Sequence, residues 1–238
     1  MDFKAAIITI VPEGETKIAL NLLHSLKALG LSIAHMSYVA SETDRAFLVG
    51  KGFNATLLAD PADGSARPGN ERLKYGVAST LMGRFSHIWM IDYRSVVTGN
   101  ILLFLQKEAP KDVDLICGEH RGKIAVGNLV LKSGETTFAL CQHMATKVAS
   151  EAQEADLLSD IVPRVEPTIS MRFLEPAMFP SSDTFFGPSQ SHDEYVAAGH
   201  RPLLVQTVDM GSRERMEAAM RAKGLWAIPE DQSIAKST

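Results

Sequence analysis

Two cysteines in 238 residues leave no disulfide framework to organise this chain. Cys117 and Cys141 lie in apolar stretches at a spacing that matches no metal motif, so both read as buried reduced thiols. No apolar run approaches the roughly 20 residues that a membrane-crossing helix requires. The hydrophobic stretch near the N-terminus, up to Val11, is short and lacks a small-residue cleavage site, so it reads as a strand and not a secretion signal. The expectation is a cytoplasmic protein with no transmembrane segment. An excess of one charge is missing too: Lys and Arg number 24 against 28 Asp and Glu, and the net charge of −4 gives no basic field for nucleic acid. There is no Gly-rich phosphate loop, no dinucleotide fingerprint and no nucleophile elbow, and the 7 histidines are scattered without ligand spacing.

The apolar residues that are present alternate between two periods. Residues 4–11 form a continuous apolar run, as expected of a strand buried on both faces. Ile18, Leu22, Leu26 and Leu29 then recur at helical spacing, and Gly30 ends that helix. Residues 32–40 read as a strand, 42–51 as a helix capped by Ser41, and 53–59 as a third strand. After a loop over 60–70, Asn70 is placed to cap a helix over 71–83, followed by a strand over 86–92. A helix over 99–108 and strands over 113–118 and 123–132 come next, and Ser133 opens a helix running to about Gln153. Segments 168–174 and 202–208 read as strands separated by an irregular Ser-, Pro- and Phe-rich loop from Pro180 to Gly187, and 211–223 reads as a basic helix. This alternation predicts an α/β fold with a Rossmann-like, mostly parallel mixed sheet flanked by helices. Residues 1–228 form one domain in this reading, and 229–238 a polar tail.

The segment His87 to Val97 carries the most chemistry. An apolar strand runs into Asp92, at the strand end where open α/β sheets bind ligands. Nucleotide-sugar-dependent glycosyltransferases hold Asp-x-Asp at such a spot; here Arg94 stands in the second position.

Several further stretches carry a resemblance over roughly residues 5–227. They are Leu22 to Gly30, Lys74 ahead of the Asp92 strand, Trp89-Met90-Ile91-Asp92, Gly127 to Ser133, and Met210 to Met216 with Gly224-Leu225-Trp226. Together they resemble the nucleotide-diphospho-sugar transferase family, the GT-A-fold group that includes plant arabinosyl- and xylosyltransferase-like enzymes. Departures from its pattern are Arg94, Gln206-Thr207-Val208 where His-x-Asn is usual, and Leu157 after Asp156 where Asp-Gln is usual.

The resemblance implies a nucleotide-sugar donor, most readily a UDP-sugar, a glycan or glycoconjugate acceptor, and transfer with retention. It also implies a divalent ion, Mn²⁺ or Mg²⁺, for which Asp92 alone would be the carboxylate ligand. A guanidinium can instead clamp phosphate oxygens directly, so Arg94 points to charge stabilisation without metal, with Asp92 on the ribose. Arg94 could equally do no more than pair with Asp92. The other donor-binding candidates are Thr9, Val11, Lys74, Asn128 and Arg213, with the nucleotide lying across the strand ends at Val11, Ala59 and Asp92. The catalytic candidates are Asp156, which could stabilise an oxocarbenium-like transition state, and Glu119, which with His120 and Arg121 could meet the acceptor. Each has a structural alternative: a solvated helix lysine for Lys74, a backbone-bonded amide for Asn128, an exposed helix end for Asp156. At the level of the whole protein the alternatives are a non-catalytic binding or partner module on the same scaffold and, less well matched, a nucleotidyltransferase.

Overall fold

The structure is a computed structural model that describes residues 4–30, 33–58, 69–108, 112–120, 122–164, 168–180, 185–186, 199, 202–207 and 210–229. The expected strand end at Ala59, the loop over 60–68, Arg121, Val208, most of the loop from Pro180 to Gly187 and the tail from residue 230 lie outside the described residues.

The fold is α/β. Strands β1 (Ala5–Val11), β2 (Ala34–Val39), β3 (Ala55–Leu57), β4 (His87–Ile91), β6 (Leu115–His120), β7 (Lys123–Lys132) and β8 (Met171–Phe173) form a seven-stranded sheet in the order β3-β2-β1-β4-β7-β6-β8. Its pairs are parallel except those made by β7, which runs against β4 and β6. The helices are α1 (Thr16–Ala28), α2 (Glu42–Gly50), α3 (Asn70–Leu81), α4 (Ile101–Glu108), α5 (Glu135–Lys147), α6 (Glu151–Ile161) and α7 (Arg213–Ala222). No helix among the described residues is long and apolar enough to cross a membrane.

Every residue of β1 is buried because both of its faces are covered. Ala6 and Ile8 pack with Tyr75, Leu140 and Leu158 from α3, α5 and α6. Ala5 and Ile7 pack on the other face with Leu22 and Leu26 of α1 and Ile101 and Leu105 of α4. The chain leaves β1 for β2 and β3 on one side and returns to β4 on the other. The crevice beyond the C-terminal ends of β1 and β4 is therefore the switch point at which such sheets take ligands.

Three local expectations are corrected. The strand over 86–92 stops at Ile91, because Asp92 folds into a turn in which its Oδ1 accepts a hydrogen bond from Arg94 N at 2.8 Å. The chain then leaves the main sheet as β5 (Ser95–Val97), which pairs antiparallel with β9 (Leu204–Gln206) in a second, two-stranded sheet. The helix over 133–153 is two helices. Ser150 caps α6, accepting from Gln153 N at 3.3 Å while Gln153 Oε1 accepts from Ala149 N at 2.7 Å. Ser133 caps nothing: Gly134 stands at the start of α5, and the Ser133 hydroxyl donates to Phe85 O at 2.5 Å. Likewise Asn70 is the first residue of α3, and Gly69 the cap.

Strand β7 also carries a bulge. Cys117 pairs with Leu129 and the next residue, Gly118, pairs with Ala125, so Val126, Gly127 and Asn128 have no partner on β6. Bulges re-aim backbone groups next to sites. Here Val126 O accepts from Lys74 Nζ at 2.9 Å, and Gly127 O accepts from Asp92 N at 2.8 Å.

Candidate functional site

A cleft opens at the switch point. Its floor is Ile8 and Ile10 of β1, and its walls are Lys74 of α3, the Asp92–Arg94 turn, the β7 bulge and Glu154 of α6. The described walls enclose about 170 Å³, less than the roughly 300–1,000 Å³ of a site for a drug-sized ligand.

Two ion pairs dominate. Arg94 Nε and Nη2 donate to Asp92 Oδ1 and Oδ2 at 2.9 and 2.8 Å, a bidentate pair. The guanidinium also lies 5.3 Å from the centre of the Tyr93 ring. Across the cleft, Glu154 is fully buried on α6, and its Oε1 accepts from Lys74 Nζ at 2.6 Å and from the Tyr75 hydroxyl at 2.5 Å. Burial first, then the Glu154 carboxylate, push the Tyr75 hydroxyl well above its ordinary pKa, so it stays a proton donor.

The described residues of the cleft do not fit a divalent cation. Such an ion needs several oxygen ligands; at the β4 end the carboxylate is Asp92, and both its oxygens are held by a guanidinium. No group of three or more His, Cys, Asp and Glu side chains suited to a metal occurs among the described residues.

Of the expected site residues, Lys74, Asp92 and Arg94 are brought together in the cleft. The others are placed elsewhere. Thr9 points to the opposite face of β1, where its hydroxyl meets His35 Nε2 at 3.4 Å, and Val11 packs with Leu20, Leu23 and Val39. Asn128 is buried, with its Oδ1 accepting from Trp89 Nε1, while its neighbour Gly127 faces the cleft. Arg213 donates to Gly14 O at 3.3 Å and ties α7 to the turn after β1. Asp156 is exposed and paired with Lys123, and Glu119 is exposed on β6. Gly224-Leu225-Trp226 is an anchor: buried Asn21 of α1 donates to Leu225 O at 3.2 Å and accepts from Ala227 N at 2.6 Å.

Sequence reasoning missed Glu154 as the cleft's carboxylate. The signal was there: Glu154 stands four residues before the fully buried Leu158, on the apolar face of α6, where an acid is out of place without a partner. Gln206, noted in the sequence as standing where His-x-Asn is usual, also comes close to the site. A Cβ built on Gly127 would lie 3.0 Å from Gln206 Nε2 and 3.4 Å from Asp92 Cβ, so the three residues are in close contact. Gln206 Nε2 is buried and has no hydrogen-bond partner among the described residues.

No family model matches the chain, and no curated protein matches it. Solved structures do. WbbM, a bifunctional glycosyltransferase, superposes with a TM-score of 0.62 at 9% identity, over 92% of this chain and 50% of that one. The glycosyltransferase GlyE of Streptococcus pneumoniae TIGR4 gives 0.58 at 13% identity, over 96% and 61%. LgtC, a galactosyltransferase crystallised with donor and acceptor sugar analogs, gives 0.51 at 13% identity, over 95% and 98%. This chain thus spans between half and about three fifths of the first two proteins. At these identities the likeness is one of architecture, and it agrees with the strand order, the single antiparallel β7 and the cleft beyond β1 and β4: the chain has the GT-A-type fold of nucleotide-sugar glycosyltransferases.

Proposed function

We propose that this protein transfers a sugar from a nucleotide-sugar donor to a glycan or glycoconjugate acceptor without a divalent metal. The observation that carries the reading is Arg94. A guanidinium stands at the C-terminal end of β4, at the switch point, where both oxygens of the adjacent carboxylate are taken. As the glycosidic bond of the donor breaks, negative charge grows on the departing diphosphate. Bidentate hydrogen bonds from Arg94 would meet that charge, with Lys74 as the second cation of the cleft. On this reading Glu154, which lines the cleft, would be the α6 carboxylate at the sugar in place of the exposed Asp156. By resemblance the donor is a UDP-sugar and transfer retains the anomeric configuration.

The test is a thermal shift series with UDP-sugars and other nucleotide sugars, run with EDTA and again with Mn²⁺. A ligand at about 100 times its Kd adds about 2.7 kcal/mol to the native state. The expected result is a rise in Tm that EDTA leaves in place, and turnover of a labelled donor. A rise that requires Mn²⁺ would remove the metal-independent part of the reading. No rise with any nucleotide sugar would remove the whole, and binding without turnover would support a binding module.

A further inference from the structure

Arg94 reaches the cleft already holding an anion. Its two hydrogen bonds to Asp92, through Nε and Nη2, are the pair with which a guanidinium takes two oxygens of a phosphate. The backbone around them is fixed. Arg94 N donates to Asp92 Oδ1 at 2.8 Å, Ser95 N donates to Asp92 O at 3.1 Å, and Arg94 O accepts from Thr207 N at 3.1 Å. Release of the Asp92 contact therefore needs no backbone movement, and both side chains keep some exposure, 19% for Arg94 and 15% for Asp92. The surroundings do not favour an anion on their own: the lining carries the carboxylates of Glu71, Asp92 and Glu154 against the cations of Lys74 and Arg94, and Glu154 already engages Lys74.

We infer that Asp92 is a specificity-determining residue that acts as a built-in stand-in for the donor's phosphate. Its carboxylate occupies the Arg94 guanidinium until a stronger oxyanion replaces it. This rests on the reading of the cleft as a phosphate site and goes beyond it by giving Asp92 a sign: it opposes binding. Singly linked phosphates would compete poorly with an intramolecular partner held in the same turn. Two linked phosphates, with more charge and more acceptor oxygens, would displace it. The substrate class selected is a diphosphate-linked sugar over a monophosphate.

The test compares the wild type with Asp92→Asn by calorimetric titration of inorganic pyrophosphate, UDP and UMP in EDTA. Asparagine keeps an Oδ1 acceptor for Arg94 N, so the turn is retained while the charge is removed. Should this variant fail to fold, as judged by its Tm, Asp92→Ser offers the same turn acceptor and replaces it. The expected result is that the variant binds UDP and pyrophosphate about fivefold more tightly or better, the scale of releasing a partly buried ion pair. It should also discriminate less between UDP and UMP. The gain should vanish in Asp92→Asn combined with Arg94→Met. A variant that binds UDP no more tightly than the wild type, where the wild type itself binds UDP, overturns the inference and leaves the phosphate-site reading standing. If neither protein binds UDP or pyrophosphate, both fall together.

Discussion

Lys74 Nζ lies 2.6 Å from Glu154 Oε1, and of the two side chains only the lysine keeps any exposed surface, 16%. The pair joins α3 to α6 under the cleft, and Val126 O of the β7 bulge accepts a second hydrogen bond from the lysine. Breaking a buried pair costs far more than never having made it, because the surviving charge is stranded. Glu154→Gln is therefore expected to lower stability by about 3 kcal/mol in urea unfolding. Lys74→Met combined with Glu154→Leu and Tyr75→Phe, which leaves no buried hydroxyl stranded, should recover most of that loss. Asp156→Asn, at an exposed ion pair with Lys123, should leave the unfolding midpoint where it is. A large effect at Asp156 and a small one at Glu154 would reverse the assignment of the two carboxylates.

Gly127 has no side chain because Gln206 and Asp92 fill the place where one would go. A methyl group there would press on the end of a glutamine side chain, which can give way, so Gly127→Ala should fold with a loss of about 1–2 kcal/mol. The displaced amide and the disturbed Asp92 should alter nucleotide affinity by much more than the stability change suggests. Titration of UDP alongside a melting curve measures both. Unchanged affinity with normal stability would show that the Gly127 side of the cleft is idle.

Acid should weaken the fold before the carboxylates titrate. Burial pulls the half-buried His35 imidazole down to about 4, and burial, with Lys132 nearby, also lowers His87. The unfolded chain takes up these protons near pH 6.5, as free histidine does. In the native state His35 resists until about 4 and His87 is also lowered, so their contribution to stability is complete above 6.5 and declines as pH falls from there. Urea midpoints measured between about pH 7.5 and pH 4.5 should show this fall, and His35→Gln should flatten part of it. A midpoint that is level across that range would show that neither imidazole is held neutral.

Cys117 and Cys141 are both fully buried, and burial pushes each thiol up to about 12, with Glu119 adding to the shift at Cys117. Thiolate is the reactive form. A disulfide-exchange reagent at neutral pH should titrate neither thiol in the native protein and both after urea unfolding. Rapid labelling of the folded protein would place a cysteine at the surface and contradict the packing between the sheet and α5.

The sequence made the frame legible where the signals are local. The unbroken apolar run of β1, the helical spacing of α1 and the Ser41 cap, which accepts from Asp44 N at 3.1 Å, all stand as expected. It misled where one residue decides a face. The sequence points to Asn128 for the cleft, and Gly127 lies in it; it points to Asp156, and Glu154 is buried there, two positions away on a helix and so on another side. Asp92, Arg94 and Lys74 could be placed because a strand end and the helix before it fix their positions independently of side-chain direction. The partnership of Gln206 with Gly127 could not, since it joins strands some 80 residues apart in two different sheets and leaves no local pattern.

The excursion of β7 between its pairings with Gly118 and Cys117 has an evolutionary corollary. Ladders on both sides of it are anchored independently, so a residue gained or lost at Val126–Asn128 would be absorbed locally instead of sliding the whole strand. Such an event would change which carbonyl greets Lys74 and which backbone atom holds Asp92, provided the buried Val126 and Asn128 are re-seated. Descendants of this scaffold could thus acquire new selectivity by altering chain length at one spot, without a single substitution among the charged groups.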